Sequence, residues 1–255
     1  MMIYISCAKT MTAKSKQDVP FTTEPAFHKE ATQNAVELSQ LNNEELGRML
    51  KVNPKLTTEN YMRYHDFFSE HNKALPAILS YTGMVFKHIM VKDFTEEDFG
   101  HAQEHLFISS FLYGLLRPLD LIKNYRLEGN VKLPGHGNLT MFDYWKPILT
   151  DFFISEIKKQ GGTLVNLASN EMKDLLDWKR VCSETSVVTP DFQIYKNSKL
   201  STVTVYAKMC RGEMTRFILK NRIENPEELK SFEWEGFCFN ETESCGDNLV
   251  FTLNA

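Results

Sequence analysis

The apolar residues of this chain fall into two kinds of stretch that alternate without a regular beat. Residues 3–6, a β-branched run, and residues 164–167, a short apolar one, give way at once to small or polar residues, Ser6-Cys7-Ala8-Lys9-Thr10 and Ala168-Ser169-Asn170-Glu171. Runs of this length suit buried strands that deliver polar segments to a surface. Between them lie stretches with helical spacing. Ala31, Ala35, Leu38 and Leu41 share one face, Asn43 with Glu44 and Glu45 starts a second helix, and Thr58 opens a third whose Tyr61, Tyr64, Phe67 and Phe68 point to the core. Strands and helices mixed without a βαβ rhythm predict an α/β fold of mixed α+β character, with a mixed sheet and several helices in one compact domain over residues 1–255. A 255-residue chain that is 42% hydrophobic and 24% charged has enough apolar surface to build such a core.

Further along, residues 12–23 are polar and read as a loop. Thr95-Glu96-Glu97-Asp98 ahead of Phe99 is a capping box opening a helix to about residue 106, after which residues 107–111 either extend it or form a strand. Pro118 forces a break near Leu116, Tyr125-Arg126-Leu127-Glu128 alternates like a strand, and Pro134-Gly135-His136-Gly137 makes a turn. Asn138 then caps a helix over residues 141–159, kinked or restarted at Pro147 and stopped by Gly161-Gly162. Residues 187–188, 192–195 and 201–207 read as strands, the last two joined through Lys196-Asn197-Ser198-Lys199 as a hairpin. A helix over residues 212–222 follows, and strands at 237–239 and 249–251 flank a turn at Gly246-Asp247.

Several functional classes are excluded or unsupported. No apolar run approaches the roughly 18–20 residues that span a bilayer, and the start lacks a basic leader segment, so a cytoplasmic protein without a membrane partner is expected. The five cysteines are odd in number, scattered and never C-x-x-C, which argues for free thiols. Walker, G-x-G-x-x-G, G-x-S-x-G and EF-hand patterns are missing, so no cofactor is expected. His101 and His105 have one-face helical spacing, but Ala102 stands where a metalloprotease helix needs Glu, so no metal site is expected either. Ser6-x-x-Lys9 matches a short acyltransferase pattern without its companion elements. Cys7 beside Lys9 is a weak redox candidate, since a nearby ammonium favours thiolate.

The net charge of −4 hides a segregated distribution. From Lys199 to Arg222 six basic residues face one acid, Glu213, whereas Ile223 onward holds eight acids and only Lys230. Lys208-x-x-Arg211-Gly212 reads as the passage from a strand end into a helix N-terminus, where free N–H groups and the helix dipole favour a phosphate and Gly permits its close approach. Lys220 and Arg222 read as a solvated helix face. A second cluster, Tyr113-Gly114-Leu115-Leu116-Arg117-Pro118-Leu119-Asp120 with Arg126 and Glu128, suits either an anion site or an Arg–carboxylate network bracing a turn.

Four of these segments in order, Ile5-Ser6-Cys7-Ala8-Lys9-Thr10, residues 112–120 with Tyr125-Arg126-Leu127-Glu128, Asn166-Leu167-Ala168-Ser169-x-Glu171, and Tyr206-Ala207-Lys208-Met209-Cys210-Arg211-Gly212-x-Met214-x-Arg216, resemble the YaaA family of bacterial peroxide-stress proteins from residue 1 to about 251. The resemblance implies a cytoplasmic protein that lowers free intracellular iron under hydrogen peroxide. It also implies an α/β fold with a positively charged cleft and a helix-hairpin-helix-like element associated with DNA binding. Three departures stand out. Cys7 occupies a position where relatives are expected to carry Pro, Arg126-Leu127-Glu128-Gly129-Asn130 replaces a Met-Gly ending, and Leu112-Tyr113-Gly114 only approximates a Gly-hydrophobic-Gly hairpin.

Together the residues and the resemblance predict that Lys9, Arg117, Arg126, Lys208, Arg211 and Arg216 converge, with Ser6, Thr10 and Gly212, on a cleft that binds duplex DNA with weak sequence preference through about four to six phosphates. Tyr113, Asp120, Asn166 and Ser169 are expected as structural or cleft polar groups. The rival expectation is a metal-independent enzyme on a phosphorylated or nucleobase-containing small molecule, with Lys9 and Arg211 holding the anion and Glu128 or Glu171 as general acid or base. Direct iron sequestration ranks last, for want of a dense carboxylate–histidine cluster.

Overall fold

The computed structural model describes residues 1–197 and 199–253. In chain order its elements are β1 (Met2–Ile5), α1 (His28–Gln40), α2 (Asn43–Leu50), α3 (Pro54–His65), β2 (Leu75–Pro76), α4 (Ala77–Ser80), α5 (Met84–Ile89), α6 (Glu96–His105), β3 (Leu106–Ser110), β4 (Gly114–Leu116) and β5 (Leu121–Ile122). They continue with α7 (Met141–Lys159), β6 (Thr163–Asn166), α8 (Trp178–Glu184), β7 (Ser186–Lys196), β8 (Lys199–Ser201), α9 (Thr204–Asn221), β9 (Phe237–Phe239) and β10 (Asn248–Leu253).

The sheet is more regular than the sequence suggests. Its order is β4-β3-β1-β6-β7-β10-β9, with β8 paired to β7. The five inner strands from β3 to β10 are mutually parallel, and β4, β9 and β8 are antiparallel additions. Every residue of β1 and β3 is buried, as expected for parallel strands covered on both faces. Helix α7 supplies part of that cover. The Phe153 ring meets that of Tyr4 of β1 at 5.1 Å between centroids, tilted by 60°, and Trp145 donates its indole N–H to the Phe111 carbonyl at 2.8 Å.

The capping boxes explain where several helices begin. Thr95 and Asp98 cap α6 reciprocally as predicted, and Asn42 with Glu45 does the same for α2. Other boundaries shift. Helix α3 starts at Pro54 rather than Thr58, because Asn53 accepts from the Leu56 N–H and Pro54 fits the first turn. Of the predicted core aromatics, Tyr64 and Phe67 are buried and Phe68 is exposed, and both phenylalanines lie beyond the end of the helix. Thr140, not Asn138, caps α7; Asn138 takes a left-handed φ of 67° in the preceding turn, and α7 continues through Pro147.

Residues 107–111 resolve mostly into β3. Residues 125–128 form no strand but an irregular wall, and the runs at 187–188 and 192–195 merge into the single strand β7. The β7–β8 hairpin is present with Lys196 opposite Lys199; its turn residue Ser198 lies outside the described residues. The strand expected at 201–207 gives way to α9 from Thr204. Burial of Ala207, Cys210, Gly212 and Met214 overrides the β-type alternation there.

Candidate functional site

Strand β1 has β3 on one side and β6 on the other, so the chain reverses its direction of travel across the sheet at β1. In open parallel sheets, ligands sit at the carboxyl ends of the strands at such a point. A cleft of about 330 Å³ opens here. Ser6-Cys7-Ala8-Lys9-Thr10 enters it from β1, Phe111 from β3, and Leu167, Ser169, Glu171 and Met172 from β6. The wall is completed by residues 83–86 at the start of α5, by residues 125–128, and by Lys208 and Arg211 of α9.

Hydrogen bonds between loops hold this rim. The Ser6 hydroxyl accepts the Ser169 N–H at 2.9 Å and donates to Ser169 Oγ at 3.2 Å, joining the ends of β1 and β6. Beyond Lys9, the Thr82 N–H donates to the Thr10 carbonyl and the Thr12 N–H to the Ser80 carbonyl, which lays the loop along the entry to α5. Gly83 is required there, since a Cβ would come within 2.6 Å of Ala8 Cβ. Beneath the cleft, the Tyr125 hydroxyl bonds to Tyr81 at 2.8 Å and Ser110 at 2.7 Å, and Tyr64 donates to the Arg126 carbonyl at 2.7 Å. Helix α3 is thereby pinned to the cleft wall.

The cations of the cleft are unequal. Glu128 takes Lys9 on Oε2 at 2.9 Å and Arg126 on Oε1 at 2.9 Å, so those two charges already share a counter-ion. Lys208 and Arg211 make no side-chain hydrogen bond or ion pair among the described residues, and Arg211 Nε is buried without an acceptor. Burial pushes the pKa of Arg211 down from its ordinary value, with Asp191 opposing. Holding a guanidinium in this way costs free energy for as long as its buried N–H lacks an acceptor.

Not every predicted residue belongs here. Arg117 caps the end of α6, donating to the Gln103 and Glu104 carbonyls at 2.8 Å each, and pairs with Glu156 at 2.6 Å while stacked 4.3 Å over Phe107. Arg216 caps α5 through the Ile89 and Met90 carbonyls and pairs with Asp93 at 2.5 Å. Neither lines the cleft, so the expected convergence of six cations reduces to four. Lys220 and Arg222 are not a solvated face: both hold the buried Asp98, at 2.7 and 2.8 Å.

The helix N-terminus argument for Lys208-x-x-Arg211-Gly212 also fails, because α9 begins at Thr204 and its free N–H groups belong to the preceding turn. Gly212 faces α5 instead, where a Cβ would overlap the Val85 carbonyl. Asp120 accepts the Arg117 N–H at 2.7 Å and Thr23 Oγ1 at 2.7 Å, and Tyr113 accepts the Lys123 N–H at 3.0 Å; both brace the turn around Pro118. Asn166 is buried at the end of β6, accepting the Ala168 N–H at 3.3 Å.

Sequence reasoning missed the apolar share of the cleft: Met84, Val85, Phe86, Phe111, Leu127, Leu167 and Met172. Only Gly83 carried any signal of a close approach. Cys7 is in the cleft, but burial pushes its thiol up to about 12, outweighing the hydrogen bond from Ser109, and Glu128 and Glu171 push the same way. The ammonium expected to favour thiolate is paired with Glu128. Nor does Leu112-Tyr113-Gly114 join two helices; it is the bend between β3 and β4. The short two-helix hairpin is instead α2–α3, linked by Lys51-Val52-Asn53, with Lys51 in a left-handed conformation, φ 52°, and Gly47 close against Thr57.

A family model described as "Peroxide stress protein YaaA" matches residues 1–243. The chain belongs to the YaaA family. That membership supports a role in peroxide stress. A UPF0246 protein of Phocaeicola vulgatus is 62% identical over 253 residues, covering 99% of each chain. One from Bacteroides fragilis is 62% identical over 252 residues, 99% of this chain and 98% of its own, and one from Clostridium botulinum is 38% identical over 255 residues, 99% of each. In this YaaA-family chain no helix among the described residues is long and apolar enough to cross a membrane. Among the same residues no group of three or more His, Cys, Asp or Glu could hold a metal ion, and the His101 and His105 rings are stacked on each other at 4.1 Å.

Proposed function

We propose that this peroxide-stress protein engages duplex DNA through the cleft at the carboxyl end of β1, and through that engagement limits free iron and oxidative damage. The observation that carries the reading is the pair Lys208 and Arg211, two cations on one helix that line the cleft and make no side-chain hydrogen bond or ion pair among the described residues. Phosphate oxygens supply the missing partners. The α2–α3 hairpin, with Lys51 and Lys55 exposed at its bend, offers a second place for the DNA backbone, tied to the cleft through Tyr64.

The test is a titration of labelled duplex at several salt concentrations. Replacing both Lys208 and Arg211 by Ala should weaken binding alike for all sequences and reduce the slope of log K against log salt by about 0.9 for the one phosphate that the pair shares. The same double variant should fail to restore peroxide survival and low free iron in a deletion strain while keeping its circular dichroism. No complex at low salt, or unaltered binding by the folded variant, would overturn the reading. The size of the cleft favours a second reading, an enzyme on a free nucleotide with Glu171 as acid or base; nucleotide-induced thermal stabilisation without duplex binding would select it.

A further inference from the structure

We infer that the cleft is a single-nucleotide pocket, receiving one nucleotide turned out of the duplex, with its phosphate at Lys208 and Arg211 and its base presented to Glu171. The inference rests on the reading that this cleft engages DNA, and concerns what part of the DNA enters it.

Size is the first argument. A volume of about 330 Å³ lies at the small end of the roughly 300–1,000 Å³ typical of small-ligand sites. A duplex whose major groove alone is about 12 Å wide cannot enter, whereas a single nucleotide can. A protein that only followed the backbone would need an open groove.

The lining is the second. Phosphate recognition has no use for carboxylates, which repel the ligand, yet Glu128 and Glu171 both line this space and both raise the pKa of the Cys7 thiol that lines it with them. Glu128 is neutralised by Lys9 and Arg126. Glu171 is exposed at the rim and makes no hydrogen bond or ion pair among the described residues, so a ligand N–H donor can meet it without breaking an existing pair. Amino groups on base edges are such donors, and a carboxylate accepting from the cytosine N4 amine is one known pairing. Phe86, Phe111, Tyr125 and Met172 add the apolar walls against which an unstacked base loses least. One ligand that joins an anion to an apolar ring bearing N–H donors satisfies both halves of the cleft.

Turning a base out costs a few kcal/mol, least where it is unpaired. Three duplexes therefore decide the matter at one salt concentration by fluorescence anisotropy: one fully matched, one with a single unpaired cytidine, and one with an abasic analogue at that same extra position. The unpaired cytidine should tighten binding at least tenfold over the matched duplex, and the abasic analogue should lose most of that gain. Equal binding of all three, or an abasic duplex bound as tightly as the cytidine one, would overturn the inference and leave DNA engagement standing. Failure of all three to bind would bring down the DNA reading itself.

Discussion

The ammonium of Lys9 lies 2.9 Å from Glu128 Oε2, at the mouth of a cleft whose other arginine, Arg126, holds Glu128 Oε1. Lys9 is largely exposed and its pairing contributes little to stability. Its effect is on charge, since one carboxylate occupies two of the four cations. Glu128→Gln should release both. Duplex binding is expected to tighten severalfold, and its salt slope to steepen by as much as about 1.8 if each freed cation meets a phosphate, at roughly 0.9 per contact. Measured binding that weakens, or an unchanged slope, would mean that Lys9 and Arg126 are scaffolding for Glu128 and do not reach DNA.

Cys7 offers a contrast between position and chemistry. It sits in the cleft, but with its thiol pushed up to about 12 it carries almost no thiolate at neutral pH, and thiolate is the form that peroxide oxidises. Iodoacetamide at pH 7.5 should label the exposed Cys182 and Cys245 well before Cys7, as read by peptide mass spectrometry. Cys7→Ser should still protect a deletion strain from hydrogen peroxide. Loss of protection by a folded Cys7→Ser protein would place the function on this thiol.

Gly212 shows how a residue can matter to a site it does not touch. Its missing side chain lets α9 approach α5, where an added Cβ would overlap the Val85 carbonyl and lie 2.6 Å from His88 Cβ. Backbone cannot yield as a flexible side chain can. Gly212→Ala should therefore destabilise the fold by about 1–3 kcal/mol in urea denaturation, the usual cost of overpacking. Because Met84, Val85 and Phe86 of α5 line the cleft, the same change should also weaken duplex binding. A variant of unaltered stability would show that the two helices separate freely.

The sequence carried the strand-end loops of this site but not its boundaries in charge. Ser6, Lys9, Thr10, Ser169 and Glu171 follow directly from short apolar runs that end in polar residues, and β1 and β6 place them as expected. Arg117 and Arg216 lie in equally basic motifs, yet each is used to cap a neighbouring helix end and neutralise an acid distant in sequence. Nothing local distinguishes an arginine that binds Glu156 from one left open like Arg211; the difference is made by helices α7 and α9 finding their packing partners. The same holds for 201–207, where alternation is a local signal for a strand and burial against α5 decides for a helix.

The stacked pair His101 and His105 supplies a pH dependence separate from the cleft. Burial, then the proximity of His105, Arg222 and the terminal amine, pulls His101 from 6.5 down to about 4, with Asp98 opposing. His105 is lowered in the same direction, first by burial. The folded protein thus keeps these rings neutral at pH values where the unfolded chain takes up protons, so stability must fall as pH drops. The loss begins near pH 6.5, grows to about pH 4 and then levels off. Asp98 acts lower: burial alone would raise its pKa, but hydrogen bonds from Lys220, the Thr95 N–H and Arg222 hold it well below 3.8, so its contribution persists until the pH passes below that value. Urea midpoints measured between pH 7.5 and 4.5 should therefore decline for the wild-type chain and decline less for His101→Gln. Parallel declines in the two proteins would assign the acid sensitivity to other groups.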